Sequence, residues 1–427
     1  MEKRFGKRIL KKLSELPKAP YISTQIIKKT VMPYYTKKSL LIGYKINKYT
    51  GAEKKVWLPL MRHDSISNRY EIMPSIMTIC GARGAGKTIL LKRILEAFYY
   101  SGYHVCHISD IKNEMVDSIY PNERLAHLLP EEDKPRGLPI KSYKPYFFHT
   151  MNGEELPEDN EWISIPFSSL NEETFFSTFN FKNSDHRKDI IYKYFPGCES
   201  IIDFKKRLIS SDENARVKNS IIKHVDVMIH HKFFSEEYER SFVEDMKKGL
   251  IPVLNLQGYE TINPIYYQLY LKIILQQIKE AKINGELKKP VVIFIDEASK
   301  MIPKKGESKG KSEIMWQIDV TRRYGMFYVL ASQEPEDMPE KIIVQSKYVF
   351  IPYNYDSEKL KPALKRKGFY NSRPEGVYGY NWWFDKKKEM AYLNRKFGKG
   401  RRVWMLLDTD ENRFTIFFAY PCMCGHE

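Results

Sequence analysis

Eight residues, Gly81-Ala82-Arg83-Gly84-Ala85-Gly86-Lys87-Thr88, have the types and spacing of a loop that wraps phosphate. They fit G-x-x-x-x-G-K-[ST]. Its glycines let backbone N–H groups close around the β- and γ-phosphates of a nucleotide, and the start of a following helix adds a favourable dipole. Lys87 is placed to reach the β- and γ-phosphates, and the Thr88 hydroxyl to hold Mg²⁺. Such a loop needs a strand before it and a helix after it. The apolar run Ile76 to Cys80 reads as a buried strand, and Ile89 to Tyr99 carries apolar residues at helical spacing. ATP with Mg²⁺ is the expected ligand pair.

A second constellation completes the chemistry. The apolar run Val291 to Ile295 ends in Asp296-Glu297. Asp296 would hold the metal, usually through its water, and Glu297 would orient or deprotonate the attacking water. Phosphoryl transfer depends chiefly on such positioning and on electrostatics. Two acidic residues at a helix start would also suit the helix dipole, but the upstream loop favours the catalytic reading. The run Met326 to Ala331 ends in Ser332-Gln333, where Gln333 can hydrogen-bond the γ-phosphate or the water. Just before it, Arg322 and Arg323 are candidates to stabilise transition-state charge on a neighbouring subunit's nucleotide. The alternative is a solvated helix end, where arginine suits the dipole.

Other groups carry weaker signals. The loop Pro303 to Lys311 is basic and glycine-rich, and its Lys304, Lys305, Lys309 and Lys311 could grip a nucleic-acid backbone beside the hydrolytic centre. A plain surface loop has the same composition. Cys422, Cys424 and His426 have zinc-ligand types, but lack the usual spacing and a distant second pair. Lys386-Lys387-Lys388 and Arg401-Arg402 flank aromatics such as Trp382 and Trp383, as further nucleic-acid contacts or as ordinary surface.

The elements that must position these groups alternate. Short strands at Leu40 to Tyr44 and Val56 to Leu60 flank a turn at Tyr49-Thr50-Gly51 and read as a hairpin. A second strand, Gly102 to Asp110, follows the loop helix. Residues 117–245 are less regular and read as a mainly helical insertion, with helical patterns around 170–180, 185–195 and 213–232. Alternation resumes with a strand at Leu250 to Leu256, where Pro252 points to a strand start or an edge. A helix from Pro264 to Lys282 follows, then the Val291 strand, a helix near Ser312 to Tyr324, the Met326 strand and one at Tyr348 to Ile351. Strands alternating with helices imply a parallel sheet covered on both faces, with ligands at the carboxyl ends of the strands.

Composition bounds the partners. The 427-residue chain carries a net charge of +17, and residues 1–60 hold 15 Lys/Arg against 3 Asp/Glu, hence +12. A polyanion is the simplest reason for that bias, with a lysine-rich composition as the bland one. No apolar run is long enough to span a bilayer, and Met1 to Leu13 lacks the apolar core of a secretory signal. Five cysteines do not make a disulfide framework. A cytoplasmic setting is expected, or a virion and its host's cytoplasm.

The order of motifs resembles the FtsK–HerA superfamily of P-loop ATPases, over about Leu40 to Leu364, with 117–245 matching poorly. Ile42-Gly43-Tyr44 with Gly51 looks like the hairpin before the loop in these motors. Ile108 to Glu114 resembles their Asp-x-Lys-x-Glu element, and Arg322 to Pro335 their arginine–strand–glutamine block. The resemblance implies a RecA-like core, a ring that would be a hexamer, and translocation along double-stranded DNA. It makes Arg322 the better finger candidate and places Lys304 to Lys311 where pore-facing loops occur. Members of this superfamily that span membranes carry N-terminal transmembrane helices, and this sequence has none.

The expected architecture is an α/β, RecA-like P-loop core with a mainly parallel sheet. Residues 1–70 form a basic arm and hairpin, 71–116 the first part of the core and 117–245 the helical insertion. Residues 246–427 supply the second part and a basic-aromatic extension. The expected function is an ATP-driven, ring-forming translocase on double-stranded DNA, with a nuclease or capsid protein as possible partner. The alternatives are a nucleotide-switched DNA scaffold and a motor for protein secretion.

Overall fold

The computed structural model describes residues 39–427 apart from 60, 65–68, 73–75, 131–132, 180–185, 303–317, 319–323, 356–359, 367–381, 398–401, 410–412 and 426–427. The chain divides into residues 1–37 and 38–427, and every described residue belongs to the second unit.

Fourteen strands follow in order among the described residues: β1 (Ser39–Ile46), β2 (Glu53–Pro59), β3 (Met61–Asp64), β4 (Arg69–Ile72), β5 (Ile76–Cys80), β6 (His104–Asp110), β7 (Ile140–Pro145), β8 (Asn160–Ile163), β9 (Ile251–Asn255), β10 (Val291–Ile295), β11 (Met326–Ser332), β12 (Tyr348–Pro352), β13 (Val403–Asp408) and β14 (Arg413–Ala419). All but β3 and β4 join one sheet, in the order β2-β1-β14-β13-β12-β5-β11-β10-β6-β9-β7-β8. From β12 to β8 every pairing is parallel. From β12 back to β2 every pairing is antiparallel.

The parallel strands read as the physics requires. β5, β9, β10, β11 and β12 are buried at every position, because helices cover both faces. The helix Lys87–Tyr100 buries Leu90, Leu91, Ile94, Leu95 and Phe98. The helix Pro264–Ile283 starts where expected: Asn263 caps it, accepting from the Ile265 N–H, and Pro264 fills its first position. Pro252 lies in β9 between β6 and β7, not at an edge. It is the second residue of the strand, and the recorded pairing with β6 begins only at Val253.

Residues 117–245 contribute more than helices. β7 and β8 extend the parallel sheet beyond β9. The helices Glu172–Thr178, His186–Tyr194, Ile201–Ser210 and Ala215–His230 form a satellite layer. Its centre is aromatic, with Phe204 edge-on to both Phe175 and Phe195, at 5.6 and 4.9 Å between ring centroids.

The hairpin β1–β2 is built into the core sheet through β14, and its glycine shows why. A Cβ on Gly43 would stand 2.1 Å from the Phe418 carbonyl oxygen, so the bulge in β1 admits only hydrogen there. Tyr44 stacks on Phe418 beside it, at 5.4 Å between centroids. The expected helix near Ser312 to Tyr324 lies largely outside the described residues. The extension after β12 holds two strands, β13 and β14, and the helix Trp382–Phe397.

Candidate active site

Sheet register brings the motifs to one edge. β11 lies between β5 and β10, pairing Ser332 with Cys80 on one side and Leu330 with Ile295 on the other. The phosphate loop, Gln333 and Asp296-Glu297 therefore leave the carboxyl ends of three adjacent strands. The Gly81 N–H donates to the Ser332 carbonyl at 3.0 Å, which seats the loop against β11. Gly84 and Gly86 have φ of +75° and +83°, left-handed values that turn the loop before the helix at Lys87.

Lys87 is buried and faces both carboxylates. Its Nζ lies 3.1 Å from Glu297 Oε1 and 3.4 Å from Asp296 Oδ1. Gln333 Nε2 donates to the same Glu297 Oε1 in a close contact. Glu297 also takes φ +46°, which a β-unbranched acidic residue adopts only at a cost of order 1–3 kcal/mol. That turn throws its carboxylate back over the loop instead of along β10.

Burial and charge set the protonation states. Burial pushes the Glu297 carboxyl up, but Lys87 and Gln333 outweigh it and hold the group below its ordinary range. Glu297 is thus a carboxylate at neutral pH. Burial also raises the Asp296 carboxyl, and there Lys87 offsets only part of the rise. Lys87 would lose its proton more easily through burial, but Asp296 and Glu297 reverse that and keep it cationic.

Two residues without an expected role complete the edge. Ser109 Oγ donates to the Asp296 carbonyl at 2.9 Å. Asp110, at the end of β6, is buried and accepts the N–H groups of Lys112, Glu114 and Met115 at 3.3, 3.1 and 2.8 Å. Burial lifts its carboxyl to about 6, with the Asp296 charge adding to the rise. An aspartate closing a buried strand beside β10 was a usable signal in the sequence. Asp296 and Glu297 crowd negative charge onto one buried lysine, and Asp110 stands near Asp296. Oxygen donors with excess negative charge fit a hard divalent cation, with Asp296 and the half-buried Thr88 as the residues that would hold it.

The other candidates divide. Ala82, Arg83 and Ala85 stand in the loop, with Arg83 exposed and Ala85 buried. Arg322, Arg323, Lys304, Lys305, Lys309 and Lys311 lie outside the described residues, as does His426. Cys422 and Cys424 are buried free thiols. A hydrogen bond with Cys422 and then burial hold the Cys424 thiol well above its ordinary value. Among the described residues no group of three ligating side chains is poised for a metal. No described helix is long and apolar enough to cross a membrane.

No protein-family model and no curated protein matches the sequence. Solved structures do. VirB4 of Thermoanaerobacter pseudethanolicus is 11% identical over 90% of this chain and 97% of its own, with a TM-score of 0.49. The bacterial conjugative coupling protein TrwB, lacking its first 70 residues, is 12% identical over 65% and 67%, with a TM-score of 0.39. The genome packaging NTPase B204 of Sulfolobus turreted icosahedral virus 2 is 10% identical over 80% and 96%, with a TM-score of 0.32. The function proposed below rests on the site's own residues.

Proposed function

We propose that this chain hydrolyses ATP with Mg²⁺ and uses the energy to move double-stranded DNA, working as a ring, in the manner of HerA- and FtsK-like motors. The observation that supports it most is the convergence of Lys87, Asp296, Glu297 and Gln333 on one buried point at the end of β10. Those four groups supply a phosphate-binding cation, a metal ligand, a base and a sensor.

The positions of the described residues, and the sequence positions of the others, support the following roles. Loop amides and Lys87 bind the phosphates, and Lys87 exchanges its two carboxylate partners for them. Thr88 and Asp296 would hold Mg²⁺, which would supply positive charge against the transferred phosphoryl group. Glu297, ionised at neutral pH and released from Lys87, accepts the proton of the attacking water. Gln333 touches Glu297 directly, so it couples that base to the state of the γ-phosphate. Arg322, with Arg323 as the second candidate, acts across a subunit interface. Lys304, Lys305, Lys309 and Lys311 contact DNA in the ring's channel. The basic balance of residues 1–60 favours a polyanionic track over a protein substrate.

Steady-state phosphate release with and without linear duplex DNA tests this reading. DNA should stimulate turnover, and replacing Lys304, Lys305, Lys309 and Lys311 together should reduce stimulated turnover more than basal. Turnover indifferent to DNA would transfer the site to a motor acting on protein. Nucleotide binding without turnover would leave a nucleotide-switched scaffold.

A further inference from the structure

The strand β13 begins beside the phosphate loop. Pro352 at the end of β12 pairs with Trp404, so the start of β13 lies at the carboxyl edge of the parallel sheet. Pro352 Cγ itself would stand 3.4 Å from a Cβ on Gly81, the first residue of the loop. Arg402, one residue before β13, is fixed there from both sides. The Tyr353 N–H donates to the Val403 carbonyl at 3.2 Å, and the Ala419 N–H to the Arg402 carbonyl at 3.3 Å.

The Arg402 side chain is turned onto the loop. A Cβ built on Gly86 would meet Arg402 Cγ at 3.1 Å and Arg402 Cβ at 3.8 Å. The aliphatic stem therefore lies along Gly86, the residue that caps the helix starting at Lys87. Arg402 is an exposed residue, and its guanidinium, farther out along Cδ and Nε, has no ion pair or hydrogen bond among the described residues. Buried cations nearby are engaged: Lys87 with Asp296 and Glu297, Arg93 with Asp133. A planar, always charged group left open beside loop amides suits an anion with several oxygens.

We propose that Arg402 binds the nucleotide held by its own subunit's loop, at the β-phosphate, and does not serve as a nucleic-acid contact. This rests on the nucleotide reading above and adds a phosphate ligand to it. The β-phosphate follows from position. The γ-phosphate end of the site is where Lys87 Nζ meets Asp296 and Glu297, whereas Arg402 lies at Gly86, against the start of the helix. Its contribution is thus shared by substrate and product, and it acts on affinity more than on the chemical step.

The test is equilibrium binding of fluorescently labelled ADP and ATPγS, with Mg²⁺, to the full chain by anisotropy. Arg402→Gln keeps the stem on Gly86 and removes the charge. It should weaken both ligands by about tenfold or more, equivalent to about 1.4 kcal/mol. Arg402→Lys should recover part of the loss, and the thermal midpoint of both variants should equal that of the parent chain. Lys87→Ala serves as the control for the site itself. If Lys87→Ala weakens binding while Arg402→Gln stays within about twofold of the parent, the nucleotide reading stands and the Arg402 assignment falls. A loss confined to ATPγS overturns the β-phosphate placement. So does a loss of duplex-DNA affinity with nucleotide affinity unchanged. A parent chain that binds neither nucleotide sinks both readings together.

Discussion

The strands β5 and β12 end very differently at their two edges. At the amino edge, polar groups are satisfied by partners within the fold. Lys347 pairs with Asp408 at 2.9 Å, and Thr78 and Ser346 share a hydrogen bond of 2.7 Å between their hydroxyls. The Lys347 N–H donates to the Ile76 carbonyl, and the Thr409 N–H to that of Lys347. At the carboxyl edge, one buried lysine serves two carboxylates with a third acid nearby, and Glu297 sits in a left-handed turn. The first edge is closed by its own partners. The second carries surplus charge and local strain, which a polyphosphate and a divalent cation would relieve. One set of strands thus ends in a clamp on one side and in unbalanced charge on the other.

Substitutions at the two edges should separate these properties. The largest effect is expected from Lys87→Ala, which removes the cation common to both carboxylates. Phosphate release should fall by about 10²–10³-fold or more, and retained turnover in a clean preparation would break the site assignment. At the closed edge, Lys347→Met removes a buried cation that faces the half-buried Asp408. Urea unfolding should show a loss of about 1–3 kcal/mol, while nucleotide affinity of the folded protein stays that of the parent. Equal damage to affinity would mean that the two edges are not independent.

A third substitution probes the strands between the edges through pH. His107, in the middle of β6, is buried, and neither ring nitrogen has a hydrogen-bond partner. Burial, and then the Lys92 charge, lower it from 6.5 to about 3. The unfolded chain therefore takes up a proton below 6.5 that the folded one refuses until about 3. Stability from this group is complete above 6.5 and is lost progressively as the pH falls toward about 3. Urea midpoints measured across that range should decline less in His107→Leu. An identical decline would assign the acid sensitivity to other groups.

The smallest effect should come from the antiparallel flank, where Gly43→Ala drives a methyl group toward the Phe418 carbonyl. A cost of about 1–3 kcal/mol is expected in urea unfolding, with phosphate release per folded molecule unchanged.

How far the sequence revealed this arrangement depended on how locally each part is encoded. The glycine loop, the Asp296-Glu297 pair and Gln333 each follow a continuous apolar run, so strand and strand end are legible together. The helix Pro264–Ile283 was legible from its cap and proline. β13 and β14 were not, since their partners stand far away in the chain: Ile351 with Met405, Gly43 with Ala419. β7 was missed because Lys141 and Lys144 interrupt its apolar run, and Lys144 is buried only through its pair with Glu154 at 2.8 Å. In the sequence Arg402 reads as a nucleic-acid contact or as ordinary surface, for the same reason that β13 is hidden. Only the folded sheet brings residue 402 beside residue 86.

Displacement of a third strand from a triplex on linear duplex DNA tests the central claim most directly. The parent chain should release the third strand with ATP and Mg²⁺, and Glu297→Gln, which binds nucleotide without an effective base, should not. ATP consumed at the same rate with the third strand left in place would contradict movement along DNA.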